Sequence, residues 1–236
     1  MSLGVPEGDG VIAGIIARGL IAGLRLEQAD DLLPVAEAIG AGGVAAIEVA
    51  LTPASIQILP QAQRKLARGI FLGAGSILTP EAAREAIRAG TAFVATPTLN
   101  PDVIRVCREA RVPIIPGAFT PTEIYQARDL GASLITVYPA GPLGADYIKS
   151  ILAVIPEVRL VAAGGTSLEN VGDFIRAGAA AVGVGDGILS KDLLARRDFA
   201  EITRRARAAV EAVQHARGHV ARPVQPIRPV EGPDVR

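Results

Sequence analysis

Apolar positions along this chain follow two alternating rhythms. Short runs rich in Val, Ile, Ala and Gly, apolar at consecutive positions, predict strands near 20–24, 44–50, 69–74, 92–96, 112–116, 133–138, 158–163 and 181–185. Between them, stretches with helical periodicity predict helices at 28–41, 54–67, 79–89, 100–110, 121–130, 145–154 and 168–177. Thr79-Pro80-Glu81, Asn100-Pro101-Asp102 and Thr120-Pro121-Thr122-Glu123 each set a capping side chain before a proline. Proline lacks the N–H that a first helical turn leaves unpaired, so these segments read as helix starts. Gly42, Gly90, Gly131 and Gly178 stand where helices must end and are expected to take the left-handed cap conformation.

Strands that are apolar on both faces imply a parallel sheet covered by helices on each side. Eight strand–helix units imply an α/β fold closed into a (β/α)8 TIM barrel, in preference to an open doubly wound sheet. An extra N-terminal helix at about 9–18 would cover the barrel bottom, and a last helix is expected at about 198–215. The reading is one barrel domain, 1–216, followed by a proline-rich C-terminal tail, 217–236, short of core residues. A length of 236 residues, 50% of them hydrophobic, suits one domain of that size. Aromatics at 3% leave an aliphatic core.

Net charge is zero and there is no basic run, which argues against a nucleic-acid partner. Cys107 is the single cysteine, so no internal disulfide forms and a reducing cytoplasm is the expected home. Apolar stretches break well short of the ~20 residues that span a bilayer, so no membrane partner is expected. The first residues show neither the basic region nor the hydrophobic stretch of a secretion signal.

In such a barrel the chemistry belongs at the C-terminal strand ends. Glu48, in Ala46-Ile47-Glu48-Val49-Ala50, is a charge inside an apolar strand. Burying a carboxylate there costs several kcal/mol unless it is paired or protonated, and the same desolvation raises its pKa toward general acid–base use. The alternative is a strand-end glutamate capping backbone or paired with Arg25. Arg25 either clamps a substrate carboxylate or neutralises Glu48. Gly164-Gly165 and Gly183-Val184-Gly185 follow the seventh and eighth strands, where barrels often bind phosphate through backbone N–H groups. Asp186 opposes a phosphate there and reads first as a helix N-cap.

Together these residues resemble the 2-keto-3-deoxy-6-phosphogluconate (KDPG) and 4-hydroxy-2-oxoglutarate (KHG) aldolases, over about Leu20 to Ala212. The likeness rests on Gly42-Gly43-Val44 with Ile47-Glu48-Val49, on Gly73-Ala74-Gly75-Ser76, and on Thr96-Pro97. It continues through Pro113-Ile114-Ile115-Pro116-Gly117, Tyr138-Pro139, Tyr147-Ile148-Lys149, Gly164-Gly165 and Val182-Gly183-Val184-Gly185. The wording around Tyr147-Ile148-Lys149 is nearest the branch acting on the galactonate-derived substrate. The resemblance implies a cytoplasmic homotrimer that cleaves a 2-oxo acid substrate to pyruvate and an aldehyde, with no cofactor. In the family a strand-6 lysine forms a Schiff base and a strand-2 glutamate moves protons. Glu48 matches that glutamate. Arg25, Ser76, Pro97, Gly164, Gly165 and Gly185 match substrate-binding positions.

Four positions depart from the family pattern. Thr136 stands where the Schiff-base lysine is expected, and a hydroxyl forms no imine. Thr52 stands where some members carry an arginine, Ala163 where one branch has threonine, and Asp186 where a serine lies beside phosphate. The remaining lysines, Lys65, Lys149 and Lys191, fall on helices or after strand 8. A metal-assisted route would draw on Glu48, Asp186 and carbonyls, since His215 and His219 lie near the tail; nothing in the spacing demands a metal. Two readings follow: an aldolase-family lyase with altered chemistry, or a catalytically silent barrel that binds an oxo acid or serves as a scaffold.

Overall fold

The computed structural model of the chain describes residues 8–26 and 28–218. Its strand segments are β1 Leu20–Leu24, β2 Ala46–Ala50, β3 Phe71–Gly75, β4 Phe93–Ala95, β5 Ile114–Ile115, β6 Gly117–Ala118, β7 Ile135–Val137, β8 Leu160–Ala162 and β9 Ala181–Val184. All pairings are parallel, in the order β5-β4-β3-β2-β1-β9-β8-β7-β6. β5 and β6 are halves of one stave interrupted at Pro116, which has no N–H to give a ladder. The first half pairs with β4 and the second with β7, while the Thr136 N–H donates to the Pro116 carbonyl at 2.8 Å. That stave closes the ring, and with its two halves counted as one, the nine segments make the eight-stave barrel expected from the alternation.

Caps set the helix starts. Thr79 accepts from the Ala82 N–H, Asn100 from Asp102 and Val103, and Thr120 from Glu123, each just ahead of a proline. Some expected boundaries move. The helix expected from 28 is a 3-10 turn, Ala29–Asp31, followed by Leu32–Ala41. The helix expected from 168 begins at Val171, because the Asn170 side chain accepts from the Ser167 N–H and holds a turn before it. A short helix not anticipated, Lys191–Ala195, is capped by Ser190. Gly90, Gly131 and Gly178 take the left-handed conformation, but Gly42 does not. The left-handed residue there is Gly43, at φ +97°. Gly42, at φ −76°, is instead a close-approach glycine: a Cβ on it would lie 2.5 Å from the Ala206 Cβ.

Alternate residues of each strand go to different cores. Ile47, Val49, Ile135 and Val137 join the layer between strands and helices. Ala46, Phe93, Ile115, Leu134 and Val161 fill the barrel interior, where Val11, Ile12 and Ile15 of the N-terminal helix Gly8–Arg18 pack beneath them. Two-residue periodicity then turns Glu48 and Thr136 inward, above this apolar floor and toward the C-terminal mouth.

The last helix, Phe199–Gly218, runs past the expected end at 215 and takes in Arg217, which the sequence reading placed in the tail. The Arg217 guanidinium donates to the carbonyls of Ala17, Ile16 and Ala180 at 2.5, 2.6 and 3.2 Å. A cation at the C-terminal turn of the first helix satisfies carbonyls that have no helical partner. The remaining tail, 219–236, lies outside the described residues. Replacing Arg217 by Ala should lower unfolding stability by about 1–3 kcal/mol, read as a lower urea midpoint. An unchanged midpoint would mean that the clamp between the first and last helices adds nothing.

Candidate active site

Glu48 is the third residue of β2, and its register partners are Gly23 on β1 and Gly73 on β3. No side chain therefore flanks it at its own level. Gly73 makes room for the Phe93 ring, which a Cβ there would meet at 2.3 Å. Phe93 is fully buried and forms the floor under the site. Further inward-facing positions at the mouth are Gly75, Gly117, Ala163, Gly183 and Gly185, so the upper interior is a bowl with almost no side-chain wall. Ala163, Gly183 and Gly185 of this bowl are among the expected site positions, whereas the inward role of Gly73, Gly75 and Gly117 is not. The signal for two of these is the i, i+2 spacing of Gly73 with Gly75, which puts the pair on one strand face.

The Glu48 carboxyl keeps partial exposure to the mouth, while the atoms packed around it strip away most of its water. Burial alone pushes its pKa from 4.5 to about 7. The expected alternative, an ion pair with Arg25, is not formed. Arg25 is exposed one residue beyond β1 and makes no ion pair among the described residues. Thr136 is half-buried between Gly117 and Val161 in register, and its hydroxyl has no hydrogen-bond partner among the described residues.

Thr52 is occupied in a cap: its hydroxyl accepts from the Ser55 N–H at 3.1 Å, while Ser55 Oγ accepts from the Thr52 N–H at 2.8 Å. Ser76 is exposed directly after β3 and holds a left-handed φ of +59°, a strained position for a residue with a side chain. Buried Thr96 donates its hydroxyl to the Thr98 carbonyl at 2.5 Å and accepts the Gly117 N–H at 3.3 Å. This turn lays Pro97 against Gly117, where a Cβ would come 2.3 Å from the Pro97 carbonyl carbon.

Gly164 and Gly165, just past β8 and Ala163, have φ of +80° and +78°. Their N–H groups have no protein acceptor among the described residues. The Thr166 hydroxyl donates to the Gly183 carbonyl and so ties this loop to β9. Asp186 follows Gly185 at the rim and is exposed. The N-cap role expected for it belongs to Ser190, whose Oγ accepts from the Leu193 N–H, and Asp186 itself makes no ion pair or hydrogen bond among the described residues.

Lys65 and Lys149 are exposed on helices Pro53–Lys65 and Ala145–Val154, and Lys191 is exposed at the start of its short helix. Among the described residues no three His, Cys, Asp or Glu side chains converge as a metal site would need. A groove of about 540 Å³ lies outside the barrel along helix Pro101–Glu109 and is separate from the mouth. Along it Arg105 pairs with Asp102 and Glu109, and Arg108 donates to the Leu130 carbonyl. No described helix is long and apolar enough to cross a membrane.

A family profile described as KDPG and KHG aldolase matches residues 12–205. The chain belongs to the KDPG and KHG aldolase family. It is 32% identical to a 2-dehydro-3-deoxy-phosphogluconate aldolase of Treponema pallidum over 191 residues, covering 80% of this chain and 91% of that protein. It is 31% identical to the 2-dehydro-3-deoxy-6-phosphogalactonate aldolase of Escherichia coli, covering 83% and 96%. A KDPG aldolase from Legionella pneumophila, solved with pyruvate captured as a covalent carbinolamine, superposes with a TM-score of 0.78 at 26% identity, over 84% of this chain and 97% of that one. Relatives named for both sugar-acid branches thus match this KDPG and KHG aldolase family member at similar identity.

The Glu48 environment gives a pH test. A carboxyl whose folded pKa is raised favours the folded state below its unfolded pKa, and that contribution is lost as pH rises through the folded value. From 4.5 to about 7, the full difference is about 3 kcal/mol. Glu48→Gln should therefore gain about that much relative to the parent chain between pH 4 and pH 8. A stability difference that stays flat across this window would show that Glu48 is ionised at its ordinary pKa.

Proposed function

We propose that this chain is a carbon–carbon lyase that cleaves a 2-oxo-3-deoxy sugar acid, or 4-hydroxy-2-oxoglutarate, to pyruvate and an aldehyde without an imine. The observation that carries the reading is Glu48: an inward carboxyl with no charge partner among the described residues, poised near neutral pH above an apolar floor and under an open, glycine-lined bowl. In this scheme the Glu48 carboxylate takes the proton of the substrate C4 hydroxyl. The C3–C4 bond breaks, its electron pair forms C2=C3, and the carbonyl pair moves to the C2 oxygen. The aldehyde leaves and an enolate remains. The Thr136 hydroxyl and the unpaired N–H groups of Gly164 and Gly165 are the neutral donors available to that oxygen. Protonated Glu48 then returns its proton to C3 and pyruvate forms.

Thr136 occupies the position that the resemblance assigns to the family's lysine, so enolate stabilisation rests on hydrogen bonds rather than on a cationic imine. Arg25 and Ser76, at the mouth, and Pro97, Ala163 and Gly185, around the bowl, complete the binding surface in this reading. Thr52 contributes through the helix it caps. A cytoplasmic homotrimer belongs to the same proposal, and light scattering at micromolar concentration tests the assembly. The second reading, a silent oxo-acid-binding or scaffold barrel, is favoured by one observation: Lys65, Lys149 and Lys191 all lie outside the barrel interior.

Borohydride treatment with pyruvate should leave no adduct on the parent chain, whereas Thr136→Lys should become trappable, as read by intact mass. An adduct on Lys65, Lys149 or Lys191 of the parent chain would overturn the imine-free scheme. No adduct in Thr136→Lys would favour the scaffold reading. Asp186→Ser should raise use of phosphorylated substrates relative to unphosphorylated ones about tenfold, by removing a like charge from the rim. An unchanged ratio in paired kcat/KM measurements would place Asp186 outside the substrate's reach.

A further inference from the structure

Glu48 is held by space rather than by bonds, and one glycine supplies the space. Its register partners Gly23 and Gly73 flank its backbone, yet the side chain does not rest over either. A Cβ added at Gly23 would have the Gly185 Cα, at 3.8 Å, as its nearest neighbour, and no atom of Glu48 is among its closest contacts. The place above Gly73 is filled by Phe93, whose ring atoms would lie 2.3–2.5 Å from such a Cβ. The side chain instead leans diagonally toward the mouth, across β3. There a Cβ on Gly75 would lie 2.1 Å from Glu48 Oε1, 2.5 Å from Cγ and 2.7 Å from Cδ. No hydrogen bond or ion pair among the described residues competes for that carboxyl.

We propose that Gly75 is the positioning residue for Glu48: lacking a side chain, it opens the one resting place between the Phe93 floor and the mouth in which the carboxyl lies inside the barrel. A methyl group at Gly75 displaces the whole carboxyl end outward into water, because the floor is closed by a buried ring and the neighbouring strands offer no donor to hold it. Displacement returns water to the carboxyl, and its proton affinity falls toward that of an exposed glutamate. The inference rests on the reading of Glu48 as the acid–base group, but its test needs no substrate.

The test is an NMR titration of the Glu48 carboxyl, with ¹³C-labelled glutamate and Glu48→Gln to assign the signal. The parent chain should titrate at about 7. Gly75→Ala should bind the proton about tenfold more weakly or worse, while Gly23→Ala, which adds the same methyl at Glu48's own level without touching it, should titrate as the parent does. Where activity is measurable, Gly75→Ala should lower kcat with KM little changed. A folded Gly75→Ala that still titrates at about 7, or a Gly23→Ala shifted as far, overturns the proposal. Should Gly75→Ala fail to fold, the double variant Glu48→Ala/Gly75→Ala should fold, since the three nearest atoms to the new methyl all belong to Glu48. Failure of the double variant overturns the proposal too, because Gly75 would then be needed for packing unrelated to Glu48. A titration that behaves as expected in a chain that cleaves nothing sinks the lyase reading and leaves the positioning role standing.

Discussion

A carboxyl group inside an apolar barrel must be protonated or must be held by a cation or donors, and Glu48 has neither cation nor donor among the described residues. Its charge state is therefore governed by how much water reaches it. The surrounding structure regulates that access. From below, Phe93 and the N-terminal helix close the interior, with Val11, Ile12 and Ile15 under Ile21, Ala46 and Val161. From the sides, its register partners on both neighbouring strands are glycines, Gly23 and Gly73, so no side chain at its own level walls the carboxyl off or holds it. The mouth is the open side of this site, and in the proposed reaction an oxo acid arrives from the same direction. A bound oxo acid that displaces this water would strengthen each electrostatic contact inside the bowl.

The barrel is organised so that this exposure faces one way. Outward strand residues such as Ile47, Val137 and Val184 pack beneath the helices and give the sheet its stability. Inward strand residues are bulky in the lower layers and, Glu48 and Thr136 apart, dwindle to Gly and Ala toward the mouth. The loop after β8 is stitched to β9 through the Thr166 hydroxyl and the Gly183 carbonyl, which fixes the Gly164 and Gly165 N–H groups relative to the bowl. Thr136 reaches the same space from the opposite side of the ring, between Gly117 and Val161. Family membership is that of an aldolase-type barrel, and the proposed function takes this bowl as its site for a small 2-oxo acid. In that proposal Thr136 stands at the position the resemblance gives to the family's lysine, so Glu48 and neutral donors act in place of an imine.

Much of this was legible in the sequence because it follows from local rules. Strand–helix alternation gave the barrel, and the Thr-Pro and Asn-Pro pairs gave helix starts that the structure reproduces with side-chain caps. Glu48 was visible as a lone charge in an apolar strand. What escaped depended on contacts between distant segments. Nothing local distinguishes Gly42 from Gly43 as the left-handed residue; the last helix packing on Gly42 decides it. Arg217 looks like tail by composition, yet three carbonyls from two other segments draw it into the fold. Asp186 has the right chemistry for an N-cap, but Ser190 lies nearer the helix that forms. The seat of Glu48 over Gly75 requires knowing the diagonal lean between two strands, which only the register reveals.

The most direct measurement is the pH–rate profile of pyruvate release from an unphosphorylated 2-oxo-3-deoxy sugar acid, compared between the parent chain and Glu48→Gln. The account predicts slow but measurable release whose kcat/KM rises with deprotonation of a group at about 7, and its loss in Glu48→Gln. Release that persists unchanged in Glu48→Gln, or that shows no inflection near neutral pH, would contradict it.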